Sequence, residues 1–252
     1  MLHEKARQSA EDDFDRDGFA VIREFYSSKE WHDVLGNFDR HLAQVVPTLP
    51  DEAVFYEDKQ RPASMMRLEN MEKYDPYFDK LLRSDPFTCF ASALLGETAV
   101  PQYVEMFAKV PRLGKPTPPH QDGNYFMLVP NNALTFWLPI DPVDEDNGCV
   151  RYVRGSHRRG MRRHEPSGVF GFSLGITDYG PEDEKDEAPV CLQPRDVVIH
   201  HSMTIHRTDA NPTDRLRRAI GLVYYAQRAQ VDQAAAEYLE TMRQQWKASG
   251  DL

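Results

Sequence analysis

The stretch that decides the fold is PPHQDGNYF, residues 118–126. His120 and Asp122 stand two residues apart, and in an extended segment such residues point to the same side. An imidazole and a carboxylate on one side can bind one metal ion, and His206, further along the chain, is our candidate for the third ligand. A lone His-x-Asp triplet is common at surface turns, so evidence for a metal site must come from the rest of the chain.

Two imidazoles and one carboxylate on one face of an octahedral ion leave three positions open. This is the ligand set of non-haem Fe(II) oxygenases. His200 and His201 are the nearest rivals as ligands, but they end an apolar run, where a hydrogen-bonded core histidine is the commoner outcome. A loop histidine bonded to a nearby aspartate remains the alternative for His120 and Asp122.

Composition limits the class of protein. The chain has 252 residues with 18 Pro and 14 Gly, which favours many short strands and turns in one large domain. A formal net charge of -10 argues against nucleic-acid binding, which depends on Lys and Arg at phosphates. Three cysteines with no Cys-x-x-Cys pair indicate buried thiols of a reducing compartment, and no run is apolar enough for a membrane span. We therefore expect a cytoplasmic protein.

Hydrophobic periodicity predicts the elements. Ser27 caps a helix whose apolar residues begin at Trp31, and a second helical region covers 79–95, with a break near Pro86 and an end at Gly96. Strand alternation follows in 102–110 and 134–140, and further strands are predicted at 149–153, 190–192, 197–201 and 218–225. Residues 47–62 read as an irregular loop.

This order of elements predicts a mainly β fold with flanking helices, a double-stranded β-helix or cupin-like jelly roll. We expect a single domain over residues 1–252. It would hold a helical and strand part at about 1–100, a jelly-roll core at about 101–228 and a helix at about 231–247. The oligomeric state is left open.

One arginine suits a carboxylate ligand. Arg217 lies 11 residues after His206 at the start of a strand, where Ala219 and Gly221 share its face and leave room beside it. Arg215 and Arg218 compete with it, but strand alternation disfavours Arg218 and spacing disfavours Arg215.

The chain resembles the phytanoyl-CoA dioxygenase family from about residue 14 to 225. The resemblance rests on the motifs HQD (120–122), YF (125–126), TFWL (135–138), DNGC (146–149), GSH (155–157) and His206 to Arg217. It implies a jelly-roll oxygenase that uses Fe(II), 2-oxoglutarate and dioxygen. Such an enzyme hydroxylates a C–H bond of a small organic substrate and releases succinate and carbon dioxide.

The resemblance also implies roles for individual residues. His120, Asp122 and His206 would hold iron, whereas the co-substrate 2-oxoglutarate would contact Arg217, Thr208, Trp137 and Arg67. Trp137 could instead be an ordinary core residue, but its position on the strand face opposite Leu134, Phe136 and Leu138 favours a pocket wall. Arg67 is the nearest match to an upstream basic residue of the family. Halogenases of the family lack the carboxylate, so the presence of Asp122 favours hydroxylation. Glu105 departs from the family pattern, which has an apolar residue there.

Other outcomes stay open. An enzyme of this fold could instead catalyse epimerisation, cyclisation or desaturation, and a non-catalytic binding protein or a metal isomerase or hydrolase without 2-oxoglutarate are further alternatives. The basic run at 158–164 reads as a solvated loop or as a contact for an anionic substrate. The acidic run at 178–187 reads as a solvated loop that could order over the site.

Overall fold

The computed structural model describes residues 4–169 and 172–249. Its core is a pair of antiparallel sheets, as the strand pattern predicts. The larger sheet has seven strands in the order β1-β12-β7-β14-β4-β3-β2, and the smaller has four in the order β11-β8-β13-β5. The strands of these sheets are β1 (Phe19–Ile22), β2 (Val54–Tyr56), β3 (Met65–Leu68), β4 (Ala99–Lys109), β5 (Thr117–His120), β7 (Ala133–Pro139), β8 (Val150–Val153), β11 (Glu187–Val190), β12 (Val197–His201), β13 (His206–Thr208) and β14 (Arg217–Ala226).

In the described ranges, two strand pairs and eight α-helices, besides short 3-10 and π-helical turns, complete the fold. The pairs are β6 (Leu128–Val129) with β15 (Gln230–Val231), and β9 (His164–Val169) with β10 (Phe172–Ile176). The helices are α1 (Glu4–Asp17), α2 (Ser28–Arg40), α3 (Met71–Tyr74), α4 (Pro76–Leu82), α5 (Asp85–Leu95), α6 (Gly123–Phe126), α7 (Pro181–Glu184) and α8 (Gln233–Ser249). None of the helices in the described ranges is long and apolar enough to cross a bilayer.

Strand alternation sorts the core into two layers. Residues on one face of the larger sheet, among them Phe136 and Leu222, pack beneath the N-terminal helices in the main apolar cluster. Residues on its other face, including Trp137 and Ala219, pack against Tyr152 of the smaller sheet. The second face is therefore the wall of the space between the sheets, where a jelly roll holds a ligand.

Several predicted elements differ from those observed. The charged N-terminal segment forms α1, which we did not predict, and β1, β2 and β3 join the seven-stranded sheet although they precede residue 101. The region at 47–62 contains β2 between turns, and the strand predicted at 190–192 lies at Glu187–Val190. Of the three cysteines, only Cys149 is buried, so the expectation of three buried thiols is wrong.

Helix α2 begins where the Ser27 motif predicts, and it offers a test of local stability. The Ser27 side chain accepts a hydrogen bond from the Glu30 backbone, and Glu30 accepts one from the Ser27 backbone at 2.9 Å. Replacing Ser27 with alanine removes this reciprocal pair, so we expect the free energy of unfolding to fall by about 1 kcal/mol. Urea denaturation measures the change. Ser28→Ala, one position inside the helix, should cost less than about 0.5 kcal/mol; equal losses would contradict the cap.

Candidate active site

The residues of the candidate site stand on the inner faces of the two sheets. On the larger sheet, strand register places Arg217 opposite Lys109, and Gly221 between Glu105 and Trp137. The next row toward the metal ligands holds Thr135, which faces Val223 on one side and His200 on the other. The inner faces enclose a cavity of about 490 Å³.

His120, Asp122 and His206 meet at one end of this cavity. His206 lies directly opposite His120 in the β5–β13 pair, and Nε2 of each ring is 3.6 Å from Oδ1 of Asp122. The three ligand atoms lie within 4.8 Å of one another. Asp122 itself occupies the helical turn after β5 and not an extended segment, so the turn, and not strand alternation, brings its carboxylate to the two rings.

Hydrogen bonds fix which nitrogen of each ring faces the site. Nδ1 of His120 is 2.8 Å from the carbonyl oxygen of Pro118, and Nδ1 of His206 is 2.9 Å from that of Thr204. A carbonyl oxygen only accepts, so both Nδ1 atoms carry the proton and both Nε2 atoms present a lone pair. Burial lowers the pKa of His206 to about 3, which keeps this ring neutral. The donor set therefore fits a divalent transition metal.

Asp122 supplies the anionic ligand. Burial alone would raise its pKa, but the three surrounding histidines, His206 first among them, hold that pKa well below its ordinary value, and Nε2 of His200 donates a hydrogen bond to Oδ2. The carboxylate is therefore ionised at neutral pH.

His200 supports the carboxylate and is not part of the metal triad. Its Nε2 donates to Oδ2 of Asp122 at 3.0 Å, and its Nδ1, which must then accept, is 3.1 Å from the hydroxyl of Tyr152. His201 points away from the site: its Nδ1 accepts from the backbone of Met203. Both histidines are hydrogen-bonded, as we expected, but only His200 is buried, whereas His201 is half-buried.

Loss of this support should weaken metal binding. In a His200→Phe variant, Oδ2 of Asp122 loses its donor, and we expect the affinity for Fe(II) to fall by about 10- to 100-fold. An anaerobic titration against a competing chelator measures it, with thermal unfolding as the check on folding. Tyr152→Phe keeps the His200–Asp122 contact and should change the affinity much less. Unchanged affinity in the histidine variant would refute the supporting role.

Gln121, between the two ligands, is a residue that sequence reasoning missed. It is fully buried, and its amide nitrogen donates to the carbonyl oxygens of Gly160 and Met203 at 3.0 and 2.8 Å. Its side-chain oxygen accepts from the backbone of Arg162 at 2.8 Å. The middle residue of HQD thus ties the metal ligands to two other loops. Only its position between two ligands hinted at this.

Arg217 lies at the other end of the cavity. It is 4 % exposed, its guanidinium lies 5.3 Å from the centre of the Trp137 ring, and its Nε has no hydrogen-bond partner. Burial lowers its pKa to about 10, so it remains charged at neutral pH. Within the described ranges, no carboxylate lies within ion-pair distance of it. A buried cation without a counter-ion is costly, and an anionic ligand would offset that cost.

Three further polar groups line the cavity. Thr208 is buried on β13 and accepts a hydrogen bond from the backbone of Thr117 at 3.2 Å. The hydroxyl of Thr135 is buried without a partner. Lys109 is 4 % exposed and donates to the carbonyl oxygen of Lys115; burial and then the charge of Arg217 lower its pKa to about 7. Thr135 and Lys109 were not among the predicted residues, although both lie on the less apolar faces of predicted strands.

The rival arginines are engaged elsewhere. Arg215 pairs with Asp144 at 2.6 Å on the surface, and Arg218 pairs with Asp141 at 2.8 Å. Arg67 does line the cavity, but its guanidinium already contacts Glu105 at 2.9 Å and Glu69 at 3.3 Å. Its assignment to 2-oxoglutarate stays a prediction.

The basic run at 158–164 is neutralised by carboxylates. Arg162 pairs with Asp178 at 2.7 Å and with Asp183 at 3.3 Å. Of the other three arginines, Arg158 pairs with Asp15, Arg159 with Asp186 and Asp183, and Arg163 with Glu165. Two of these four arginines therefore find their partners in the acidic run at 178–187. This arrangement does not favour the run as a binding site for an anionic substrate.

Comparisons with known proteins agree with this geometry. The model of the family described as "Phytanoyl-CoA dioxygenase (PhyH)" matches residues 14–219. Peroxisomal phytanoyl-CoA dioxygenase of Mus musculus is 24% identical over 221 residues, which cover 82% of this chain and 64% of the mouse protein. The chain thus spans less than two thirds of that relative.

Solved structures share the fold. The epimerase SnoN, in complex with Fe3+, alpha ketoglutarate and nogalamycin RO, superposes with a TM-score of 0.73 at 21% identity and covers 91% of this chain and 87% of its own. EvdO2 of Micromonospora carbonacea var. aurantiaca, complexed with 2-oxoglutarate, gives a TM-score of 0.69 at 26% identity and covers 92% and 94%. With His120, Asp122 and His206 as its iron-binding triad, the chain belongs to the phytanoyl-CoA dioxygenase (PhyH) family, within the superfamily of Fe(II)- and 2-oxoglutarate-dependent oxygenases.

Proposed function

We propose that the protein hydroxylates a C–H bond of a small organic substrate. The observation that carries the proposal is the placement of two groups in one cavity: a complete iron triad at one end and, at the other, a buried arginine that has no counter-ion among the described residues. A linear dicarboxylate with a 2-oxo group would chelate the metal at one end and neutralise Arg217 at the other. That molecule is 2-oxoglutarate.

The chain's own residues would bind and orient this co-substrate. The guanidinium fork of Arg217 suits the far carboxylate, and the hydroxyl of Thr208 lines the same cavity. Trp137 stacks beneath the guanidinium and, being 5 % exposed, walls this end from water. Lys109 would add a second donor for the carboxylate. Positioning and exclusion of water are the protein's share of catalysis here.

The bound iron and 2-oxoglutarate would supply the oxidative chemistry, in which dioxygen oxidises 2-oxoglutarate to succinate and carbon dioxide and leaves one oxygen atom for the substrate. Asp122 bears on the outcome. Its carboxylate is ionised and accepts a hydrogen bond from His200, so it would occupy one ligand position of the iron. No vacant position would then remain there for an anion such as chloride. This favours hydroxylation over halogenation.

Labelling with ¹⁸O₂ tests the proposal. The protein is incubated with Fe(II), 2-oxoglutarate and a library of small molecules, and succinate and products are analysed by mass spectrometry. Hydroxylation predicts one labelled oxygen in succinate and one in the product. Metal-dependent binding of 2-oxoglutarate without any succinate would instead favour a non-catalytic binding protein, and no binding of 2-oxoglutarate would favour a metal isomerase or hydrolase.

Epimerisation is the second candidate, because the fold of SnoN is so similar. An epimerase would form labelled succinate, but its product would have the mass of the substrate and no label. Cyclisation and desaturation would each lower the product mass by two hydrogen atoms.

A further inference from the structure

We infer that the substrate carries an organic ammonium group, which binds between Glu105 and the aromatic side chains of the cavity wall. This inference rests on the proposed function and names the class of molecule that the same cavity takes. Glu105, which departs from the family pattern, lines this cavity and would be used by neither iron nor 2-oxoglutarate.

Glu105 is placed to contact a substrate. It lies on the inner face of β4 opposite Gly221, which in turn faces Trp137 on β7. Adjacent strands lie about 4.8 Å apart, so two strand spacings, about 10 Å, separate the backbones of Glu105 and Trp137. Gly221 contributes no side chain between them, and its missing Cβ would meet Phe107 at 3.2 Å. A small molecule beside the metal can therefore extend to Glu105.

The charges around Glu105 do not balance. Among the described residues, Arg67 is the only cation within ion-pair distance of Glu105. The Nη2 atom of Arg67 that contacts Glu105 also contacts Glu69. One guanidinium between two carboxylates leaves one negative charge. Burial raises the pKa of Glu105, Arg67 counteracts this, and the charges of Glu69 and Asp122 raise the pKa further. Iron at Asp122 would remove only the last of these contributions, so a cation from the substrate is still missing.

Aromatic side chains surround the same region. Tyr103 is two residues from Glu105 on the same strand face, and its ring meets Phe126 at 6.4 Å in an edge-on contact. Phe107 follows on the other side of Glu105, and all three rings line the cavity. An aromatic face attracts the positive charge of an ammonium group, and it also packs against the methyl or methylene groups that the nitrogen carries. Together with a carboxylate, they form a site that prefers a cation over a neutral molecule of the same shape.

A preference for an anionic substrate has less support. The cations that line the cavity near Arg217 are needed for 2-oxoglutarate, and the arginines of the 158–164 run are paired with carboxylates. A substrate with its own carboxylate would place that group beside Glu105 and Glu69, where it would be repelled.

Matched pairs of probes can test the inference without turnover. We would load the protein with Zn(II) in place of iron and with 2-oxoglutarate, and then titrate it by ligand-observed NMR. The pairs are choline with its neutral isostere 3,3-dimethyl-1-butanol, and n-butylammonium with 1-butanol; 3,3-dimethylbutanoate serves as the anionic probe. We expect at least one cation to bind more tightly than its neutral partner and than the anion.

Two variants should change the affinity for the cation in opposite directions. Glu105→Gln keeps the shape but removes the charge, so the Kd of the bound cation should rise about tenfold while that of its neutral isostere stays the same. Arg67→Met removes the competing guanidinium, so the cation should bind more tightly. Glu165→Gln, outside the cavity, is the matched control and should change neither Kd.

The outcomes separate the two proposals. Calorimetry on the same samples first measures the binding of 2-oxoglutarate. If 2-oxoglutarate does not bind to the wild-type protein, that result counts against the proposed function itself. If 2-oxoglutarate binds but no cation is preferred, or if Glu105→Gln weakens the cation and its neutral isostere equally, then the ammonium site is refuted and the oxygenase assignment stands. Retained binding of 2-oxoglutarate in Glu105→Gln shows that the cavity is still formed.

Discussion

Replacing Arg217 with methionine is expected to raise the Kd for 2-oxoglutarate by about 30-fold or more. Loss of one partner of a buried, hydrogen-bonded charge pair costs about 2–5 kcal/mol, and each 1.4 kcal/mol is about tenfold in Kd. Arg217 is the buried cation that no carboxylate of the described ranges neutralises, so its charge is available in full to the ligand. Anaerobic titration of the Fe(II) protein, followed by the metal-to-ligand charge-transfer band, measures the effect.

The control for this variant is Arg215→Met, two residues earlier in the chain. Arg215 forms a surface pair with Asp144, and such pairs contribute about 0–1 kcal/mol, so the Kd for 2-oxoglutarate should hardly change. Arg217→Lys keeps a charge but lacks the planar fork, and should fall between wild type and methionine. Equal affinities of wild type and Arg217→Met would mean that the far carboxylate binds elsewhere, with Lys109 as the next candidate.

Replacing Asp122 with alanine is expected to abolish turnover and to lower the affinity for Fe(II) by at least about a hundredfold, since even residues that only support a metal ligand contribute 10- to 100-fold. The carboxylate is the only anion of the triad and is held ionised by its neighbours. The variant removes a metal ligand and leaves His200 without the oxygen to which it donates. Metal content after anaerobic loading and gel filtration measures the loss.

His201→Gln provides the comparison for Asp122→Ala. His201 is adjacent to His200 in the chain but bonds the Met203 backbone, away from the iron triad. It should therefore retain metal, whatever its effect on folding stability. Retained iron in Asp122→Ala, or lost iron in a folded His201→Gln protein, would contradict the assignment of ligands.

Much of the site follows from patterns that lie within short stretches of the chain. The HQD motif, the spacing from His206 to Thr208 and Arg217, and the alternation of strands β4 and β7 together predicted the triad, the buried arginine and the faces that line the cavity. Strand periodicity accounts for the side chains that share one face of β4 and β7, whereas Asp122 reaches the two histidine rings through the helical turn after β5. The start of α2 at Ser27 could be predicted because a helix cap involves only residues three apart.

Ion pairs and hydrogen bonds between distant segments of the chain could not be predicted from such patterns. Nothing near Glu105 in the sequence shows that Arg67 and Glu69 will share its charge, and nothing near 158–164 shows that Asp15 and the acidic run will neutralise it. The buried amide of Gln121 and the position of Lys109 opposite Arg217 depend likewise on which strands become neighbours.

The amino-acid sequence by itself determined the fold class, the metal ligands and the arginine candidate for the co-substrate, because each depends on residue type and local spacing. The tertiary structure alone decided which charges are already paired and which remain available to a ligand. Electrostatic balance depends on distance in space and on burial, and neither quantity can be read from positions along the chain. For this protein, that balance distinguishes the neutralised surface arginines from Arg217, and it leaves one more negative than positive charge in the group formed by Glu105, Glu69 and Arg67.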